Sequence, residues 1–449
     1  MKNKWLLGLL ILIFIKGLVW LALTPIFQIP DEPSHLSYVQ FLAENRRPPH
    51  ARRELKTSQE LLAVAGAVNF DWKINHPVWQ GYQADWREKI TAIDKSQRQT
   101  FETNQYLTSL KRPGVYYYLA AGIYQLFSVG NFFWRFYAVR LFSLVIHLLA
   151  VWLVFLTAKK ILKNDWSASA VSAWVGFQPG LSFLTNGVSY ESLAILAATV
   201  FFYLVASGKK IIWLIAAALI GIMIKPDLIF LLFLLPFLLP KKQQVFAWIS
   251  LISIFLGFIW LAPVIDGVIR GKYALWFDQW FYFLPLKDYA VFSRDLFNLF
   301  FSGRIFGLLV EYGRQFFNIH YPQIFPWYWG VFGWLEKTMP LRVYTLLKII
   351  TVVGLVGLLR SWSKKWNWLI FAVLIQAGVV IANDFLTFAS SGQLYGIQGR
   401  YFYPAIGPQM TLLAVGLSRF ISPKIILAAA IGLNLIGLIN MHQYFGWVW

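Results

Sequence analysis

The stretch from Trp5 to Phe27 decides the fold, and it reads WLLGLLILIFIKGLVWLALTPIF. A helix needs about 20 apolar residues to cross the hydrocarbon core of a bilayer, so this run predicts a membrane-spanning helix. Lys2 and Lys4 precede it, as in a signal peptide, but the run is too long for the apolar region of one. No small-residue cleavage site follows, so we expect a retained first helix with its amino end inside.

The composition of the whole chain predicts an all-α integral membrane protein. It is 58% hydrophobic and 13% charged, whereas a soluble domain carries about 25% charged residues. The 22 Trp residues suit aromatic belts at the two membrane interfaces. The net charge of +20 indicates positive-inside bias and contact with membrane lipids, or a site for anionic substrates. Nucleic acid is excluded as a partner because the basic residues are scattered among membrane segments, and the lack of cysteine excludes disulfides.

Further apolar runs long enough to span a membrane follow along the chain, at 136–158, 166–184, 188–206, 243–264, 341–359, 367–387, 404–418 and 424–440. Two shorter runs, 211–224 and 228–240, flank Lys225 and predict either a short hairpin or one broken helix. The hairpin places the basic clusters that follow these segments on the inner side, as the positive-inside rule requires. The resulting topology has about 11 transmembrane helices and an outer carboxyl end.

This topology divides the chain into five parts. They are the first transmembrane helix (1–27), an extracytoplasmic loop with interfacial helices (28–135), transmembrane helices 2–7 (136–264), a second large extracytoplasmic loop (265–340) and transmembrane helices 8–11 (341–449). Within the first loop, 114–129 is short and tyrosine-rich, so we expect an interfacial or re-entrant helix there. Loops of this length are usually functional or disordered, and the many aromatic residues of the first loop favour order.

An acidic pair stands just beyond the outer end of the first helix, in Pro30–Tyr38 (PDEPSHLSY). Adjacent carboxylates at a membrane surface are costly to desolvate, so they are either solvated or used. Pro30 and Pro33 stiffen the backbone around them. The alternative interpretation is a solvated loop in which Asp31 or Ser34 caps a helix.

An acidic pair directly after the first helix, followed by a large outer loop, resembles the class C glycosyltransferases. These have the GT-C fold and use polyprenyl-phosphate sugars. Pro30–Tyr38 is similar to a bacterial branch with a proline-framed Asp-Glu-Pro-x-His motif. Gly396–Pro404 (GIQGRYFYP) resembles the Gln-Gly-Arg-Tyr element of that branch. Lys111–Tyr117 (KRPGVYY) resembles the basic-Pro-Pro-x-x-Tyr element that ends the first loop in lipid A and protein glycosyltransferases of this class, with Gly114 in place of the second proline.

Three further elements follow the order of the same class. Arg140 stands where those families carry an Arg that opens the second helix. Asn186–Glu191 (NGVSYE) lies in the short second outer loop, with Glu191 where relatives often have Asp. Gly221–Asp227 (GIMIKPD) resembles a Lys-Gly-Pro element at a later outer tip. All of these stretches fall on the same outer side of the expected topology.

The resemblance implies an enzyme of the cytoplasmic (inner or plasma) membrane whose active site is on the extracytoplasmic face. It would transfer a hexosyl or pentosyl group from a polyprenyl-phosphate donor to a glycan, lipid or protein acceptor, by inverting displacement. Asp31 is the expected catalytic base, with Glu32 as its neighbour. The substrate-binding residues implied are His35, Lys111, Arg112, Tyr117, Arg140, Asn186, Glu191, Lys225, Gln398, Arg400 and Tyr401.

Two points of this assignment stay open in the sequence. Arg400 is the best candidate for holding the donor phosphate, and the alternative is a contact with a lipid headgroup or a pairing with Asp384. Asp31, Glu32 and Glu191 would offer hard oxygen ligands to Mg²⁺ or Mn²⁺, and metal dependence varies within the class. The sugar, the acceptor and the oligomeric state are not encoded in any motif.

Other classes of membrane protein fit parts of the pattern. A lipid-linked oligosaccharide flippase or transporter is compatible with Arg140, His147 and Asp384 in apolar surroundings. It would be expected to show inverted repeats, and it needs no long loop after its first helix. An O-antigen-type ligase or polymerase usually places its main outer loop later in the chain. An assembly protein without activity does not explain why acidic and basic residues converge outside.

Overall fold

The architecture is taken from a computed structural model, which describes residues 2–49, 56–71, 73–74, 76–103, 114–253, 257, 303–394 and 396–446. The helices of the first half are α1 (Lys2–Leu23), α2 (Glu32–Asn45), α3 (Gln59–Ala67), α4 (Trp86–Thr91), α5 (Val115–Leu126), α6 (Phe132–Leu162), α7 (Asp165–Phe177), α8 (Pro179–Thr185), α9 (Glu191–Ala206), α10 (Ile211–Ile224) and α11 (Phe230–Leu238). Residues 241–253 are also helical. The later helices are α12 (Arg304–Gln315), α13 (Tyr321–Trp329), α14 (Leu341–Arg360), α15 (Asn367–Ser391), α16 (Ile406–Leu417) and α17 (Pro423–Phe445).

Short elements connect the helices. Single 3₁₀ turns occur at Trp79–Gly81, Lys95–Gln99, Pro226–Ile229, Lys364–Trp366 and Gly399–Ala405, and a π turn at Phe316–His320. Three antiparallel strand pairs are formed by β1 (Lys56–Ser58) with β4 (Phe101–Thr103), β2 (Phe70–Asp71) with β3 (His76–Pro77), and β5 (Val331–Phe332) with β6 (Lys337–Thr338). Each described strand has only two or three residues, so the fold is helical throughout the part of the chain that is described.

Five described helices are long and apolar enough to cross a membrane, namely Trp5–Leu23, Phe132–Leu162, Leu341–Arg360, Lys364–Ser391 and Pro423–Phe445. Shorter apolar helices occur at Glu191–Ala206, Ile211–Ile224 and Pro226–Leu238. Large aliphatic side chains point outward from the long helices, among them Ile15 on α1 and Ile349 on α14, as lipid contact requires. The predicted all-helical membrane fold is confirmed, and the number of about 11 crossings stays a prediction.

The run 166–184 is not a single helix, and that prediction was wrong. α7 ends at Phe177 and α8 begins at Pro179, because proline has no N–H and its ring clashes with the preceding turn. The break frees two carbonyl groups: Lys16 Nζ donates to Gly176 O at 2.7 Å, and Asn434 Nδ2 donates to Phe177 O at 2.8 Å. The intramembrane lysine of α1 therefore stabilises a helix end, where the helix dipole favours a cation.

The pair of short runs around Lys225 forms two helices that contact each other. Lys225 has an extended backbone (ψ 120°), which ends α10. The turn that follows brings Leu228 and Leu231 against Gly221, where an added Cβ would lie 3.2 Å from a methyl carbon of Leu228. This geometry favours the hairpin over the single broken helix, and it places Lys225 at the tip.

The first outer loop is docked onto the start of α6 by two buried ion pairs. Arg135 Nη1 donates to Glu60 Oε2 at 3.0 Å, and Arg140 Nη2 donates to Glu32 Oε2 at 2.7 Å. α5 contacts both α2 and α6. It has 12 residues, and a helix of that length spans only about 18 Å. It is therefore too short to cross the membrane, as expected of an interfacial helix.

Candidate functional site

Glu32 and Arg140 form a fully buried pair in which the carboxylate accepts four hydrogen bonds. Glu32 Oε1 accepts from Arg140 Nε at 2.8 Å and Val188 N at 3.0 Å, and Oε2 accepts from Arg140 Nη2 at 2.7 Å and Phe27 N at 3.0 Å. Arg140 also donates to Thr24 O at 2.7 Å and Pro25 O at 2.9 Å. A carboxylate with four donors has no lone pair for a metal or a substrate proton. The catalytic and metal roles expected of Glu32, and the substrate role expected of Arg140, do not fit this geometry.

The side chain of Asp31 points away from Glu32 and contacts Arg400, which lies near the carboxyl end of the chain. Arg400 Nη2 donates to Asp31 Oδ2 at 2.7 Å across 369 residues of sequence. The side chain of Asp31 is 40% exposed and that of Arg400 is 14% exposed. Burial lowers the pKa of Arg400, but the Asp31 carboxylate, with smaller contributions from Tyr401, Glu191 and Tyr190, outweighs burial, so the pKa is raised. The guanidinium is therefore a permanent positive charge paired with Asp31.

The backbone explains why two neighbouring carboxylates separate. Asp31 has φ 65° and ψ 1°, in the left-handed region, directly before α2 begins at Glu32. Its side chain makes no capping hydrogen bond to the helix, so the carboxylate is not used as a helix cap. A sharp left-handed residue at this point turns Glu32 inward and leaves Asp31 facing Arg400.

A second ion pair, between Glu191 and Lys225, lies beside the Asp31–Arg400 pair. Lys225 Nζ donates to both carboxylate oxygens of Glu191, at 2.9 and 3.0 Å, and both residues are buried. The centroid of the Tyr401 ring lies 5.4 Å from Lys225 Nζ and 5.7 Å from the Arg400 guanidinium carbon, so both cations contact this ring. Burial lowers the pKa of Lys225, but Glu191, Asp227 and Tyr190 together raise it by more, so the pKa lies above its ordinary value.

Aromatic rings form one wall of the site. His35 Nδ1 shares a 2.7 Å hydrogen bond with the Tyr117 hydroxyl. The His35 ring meets the Tyr190 ring edge to face at 5.4 Å, and Lys225 Nζ lies 5.7 Å from the centroid of Tyr190. His35 and Tyr117, which are far apart in the sequence, are thereby joined to the Glu191–Lys225 pair through Tyr190.

The loop that carries Arg400 is held rigidly against α13. A Cβ on Gly399 would lie 2.1 Å from the backbone nitrogen of Tyr328, so only glycine allows this approach. The hydroxyl of Tyr403 donates to Tyr328 O at 2.7 Å, and Gln376 Nε2 donates to Tyr401 O at 3.0 Å. The position of the guanidinium is therefore fixed by the backbone on both sides of it.

Several buried polar atoms of the residues predicted to bind substrate have no hydrogen-bond partner among the described residues. They include Arg400 Nε, Gln398 Oε1 and Asn186 Oδ1. Buried polar groups are rarely left unsatisfied, and each exception needs an explanation. One donor and two acceptors at predicted substrate-binding residues suit a ligand that carries both anionic oxygens and hydroxyl groups.

The expected metal site is not formed by the described residues, since no three His, Asp or Glu side chains there come together as metal ligands. The carboxylate oxygens of Glu32 accept hydrogen bonds from backbone N–H groups and from Arg140, and those of Glu191 accept hydrogen bonds from Lys225. Of the three predicted ligands, Asp31 faces the open side. A role for Mg²⁺ or Mn²⁺ stays a prediction.

The predicted site residues have different surroundings. Glu32 and Arg140 form the buried pair, and Asn186 and Gln398 each carry a buried acceptor without a partner among the described residues. Asp31, Glu191, Lys225, Arg400 and Tyr401 come together, and His35 and Tyr117 line the adjoining wall. Lys111 and Arg112 lie outside the described residues.

One site residue and one further buried histidine were not predicted from the sequence. Tyr190, which is 4% exposed, contacts the His35 ring and Lys225, and its place directly before Glu191 could have drawn attention to it. His320 lies in the π turn against Gly396, and both of its ring nitrogens are buried without a partner among the described residues. No sequence pattern marks it, although π turns are frequent at functional sites.

The fold and the site together define a multi-pass helical membrane protein in which charged residues of its first loop contact a loop near its carboxyl end. A family model described as "Predicted membrane protein (DUF2142)" matches residues 14–407. The chain therefore belongs to this family.

Comparison with solved structures found ArnT from Cupriavidus metallidurans in two states. The crystal structure bound to undecaprenyl phosphate is 15% identical with a TM-score of 0.38, covering 98% of this chain and 63% of that chain. The apo structure is 14% identical with a TM-score of 0.41, covering 97% of this chain and 62% of that chain. This protein thus spans less than two thirds of the length of ArnT, and similarity this low does not establish a shared function. No curated protein matches the chain.

Proposed function

We propose that this protein is a membrane glycosyltransferase that moves a sugar from a polyprenyl-phosphate donor to an acceptor on the extracytoplasmic face of the cytoplasmic membrane. The observation that carries the proposal is the contact between Asp31 and Arg400, at 2.7 Å. It joins the proline-framed acidic motif and the Gln-Gly-Arg-Tyr motif, the two stretches most similar to one branch of the class C glycosyltransferases. The fully buried Glu32–Arg140 pair supports the backbone from which Asp31 projects.

The chemistry assigns each charge a task. Asp31 takes the proton of the acceptor hydroxyl as its oxygen forms a bond to the anomeric carbon of the sugar. The bond from that carbon to the phosphate oxygen breaks on the opposite face, and the electron pair leaves with the polyprenyl phosphate. Arg400 stabilises the charge that develops on the phosphate. The proton then passes from Asp31 to water, which restores the site.

The surroundings of the pair suit a sugar phosphate. Tyr401 and Tyr190 offer ring faces and hydroxyl groups, and the Gln398 Oε1 atom is a buried acceptor without a donor among the described residues. Glu191 and Lys225 neutralise each other, so they add polarity without adding net charge. One of the two ArnT crystal structures holds undecaprenyl phosphate, which is the lipid part of the donor class proposed here.

Asp31→Asn tests this function. With purified protein and polyprenyl-phosphate sugars, we expect transfer to fall by roughly 10²–10⁴-fold, the contribution of a general base. Asp85→Asn is the matched control, because Asp85 belongs to the same outer loop and its pair with Lys89 is exposed. Normal transfer by Asp31→Asn would refute the assignment of the base. Movement of a lipid-linked sugar across liposomes without transfer by the unmodified protein would instead support a flippase.

A further inference from the structure

The pair between Arg400 and Asp31 uses only part of what the guanidinium can donate. Arg400 Nη2 donates to Asp31 Oδ2 at 2.7 Å, whereas Arg400 Nε is buried and has no acceptor among the described residues. Nε and Nη2 form one edge of the planar guanidinium, and this edge holds two oxygens of one anion in bidentate pairs. The contact with Asp31 therefore leaves half of a two-oxygen site unfilled.

A phosphate fits this edge better than the single carboxylate oxygen does. A phosphate monoester or diester presents at least two terminal oxygens at the spacing of the guanidinium fork. It would satisfy Nε and Nη2 together, and so remove the cost of a buried donor without a partner. Both groups are negative, so they compete for the same cation.

The two members of the pair differ in how easily they can move. Arg400 belongs to a loop whose Gly399 packs directly against the backbone of Tyr328. A Cβ added to Gly399 would lie only 2.1 Å from Tyr328 N. Asp31 is 40% exposed, so its carboxylate can turn towards water without being buried in a new place. Glu191 cannot replace it, since Lys225 holds both of its oxygens.

We propose that Arg400 exchanges partners during the cycle, releasing Asp31 when the phosphate of the donor occupies the Nε–Nη2 edge. The inference rests on the proposed function and adds the order of events to it. In the empty site, the guanidinium holds the carboxylate and lowers its basicity. Binding of the donor ends the contact between Arg400 and the Asp31 carboxylate only once there is a sugar to transfer. No covalent bond changes in this step.

Binding of polyprenyl phosphate to the protein in detergent or nanodiscs measures the exchange directly, without transfer. Asp31→Asn should bind it about five- to tenfold more tightly, because a part-exposed competing ion pair and one repelling charge are removed. Asn accepts the left-handed backbone (φ 65°) of this position as Asp does, so this variant keeps the loop. Asp227→Asn is the control, because it removes one negative charge beside Lys225 without touching Arg400, and it should change the affinity less than about twofold.

A double-variant cycle distinguishes the exchange of partners by Arg400 from simple repulsion between the Asp31 carboxylate and the phosphate. In an Arg400→Lys background, which lacks the two-nitrogen edge, Asp31→Asn should change the affinity by less than about twofold. Equal affinity of Asp31→Asn and the unmodified protein would overturn the exchange, and so would equal tightening by Asp227→Asn or full tightening in the Arg400→Lys background.

Three probes distinguish the sources of the phosphate. Polyprenyl phosphate and inorganic phosphate should both bind Asp31→Asn more tightly than the unmodified protein, whereas polyprenol should not. Tightening for inorganic phosphate alone would support the exchange and refute the lipid-linked donor. Binding of polyprenyl phosphate that is equal in both proteins would support the donor class and refute the exchange. Tightening for polyprenol would contradict a phosphate site.

Discussion

At the scale of single residues, Asp31 and Glu32 show how neighbouring carboxylates come to differ. Glu32 is 0% exposed and accepts four hydrogen bonds, while Asp31 is 40% exposed and faces the guanidinium of Arg400. Removing one partner of a buried ion pair leaves an uncompensated charge in a medium of low dielectric constant. Asp31 is therefore suited to exchange a proton with a ligand, and Glu32 is suited to stabilise the fold.

Glu32→Gln should destabilise the protein by about 3–5 kcal/mol, because Arg140 is left as a buried charge without its counterion. The measurement is thermal unfolding in detergent, with exposed Glu102→Gln as the control. Asp31→Asn should unfold close to the temperature of the unmodified protein. Full stability of Glu32→Gln with loss of transfer would contradict the structural role and return Glu32 to the reacting groups.

At the scale of elements, the sequence predicted which segments are helical better than it predicted where helices break. Trp5–Leu23 and Phe132–Leu162 followed directly from apolar length. The break between α7 and α8 was missed, although Pro179 was visible, because its cost depends on whether other helices satisfy the freed carbonyl groups. Lys16 and Asn434 do so from α1 and α17, and sequence spacing does not reveal such contacts.

The loop element Gly396–Pro404 provides a prediction at this scale. Gly399→Ala would place a Cβ 2.1 Å from the nitrogen of Tyr328, and overpacking of this kind costs about 1–3 kcal/mol. We expect the variant to lose most of its affinity for polyprenyl phosphate, because the loop must move and carries Arg400 with it. Gly122→Ala is the matched control in α5, since nothing lies within 4 Å of its added Cβ. Equal binding by the two variants would show that the position of the loop is unimportant.

The sequence predicted which residues belong to the candidate site, but it did not predict which of them form ion pairs with one another. Resemblance indicated Asp31, Glu191 and Arg400 one by one, because each stands in a short motif. It could not assign Glu32 to Arg140 or Glu191 to Lys225, since partners 108 and 34 residues apart are chosen by packing. The sequence had instead offered Asp384 as a partner of Arg400, whereas Asp384 Oδ2 accepts from the Tyr312 hydroxyl at 3.0 Å.

At the scale of the whole molecule, the expected topology can be tested easily because the chain has no cysteine. Ala84→Cys in the first loop and Lys209→Cys after α9 are both exposed positions. We expect a membrane-impermeant maleimide to label Ala84→Cys in intact cells, and Lys209→Cys only after permeabilisation, as the positive-inside rule requires. The reverse pattern would invert the protein in the membrane and exclude an extracytoplasmic site.

The long sequence separation of the ion pairs has a consequence for biosynthesis. Glu32 can contact Arg140 after 108 further residues have been synthesised, whereas Asp31 can contact Arg400 only after 369 further residues. At about 5–20 residues per second, the ribosome needs roughly 20–70 s to cover that interval. A nascent chain thus forms the buried Glu32–Arg140 pair early and the Asp31–Arg400 pair late, so the candidate site is complete only after most of the helices have been made.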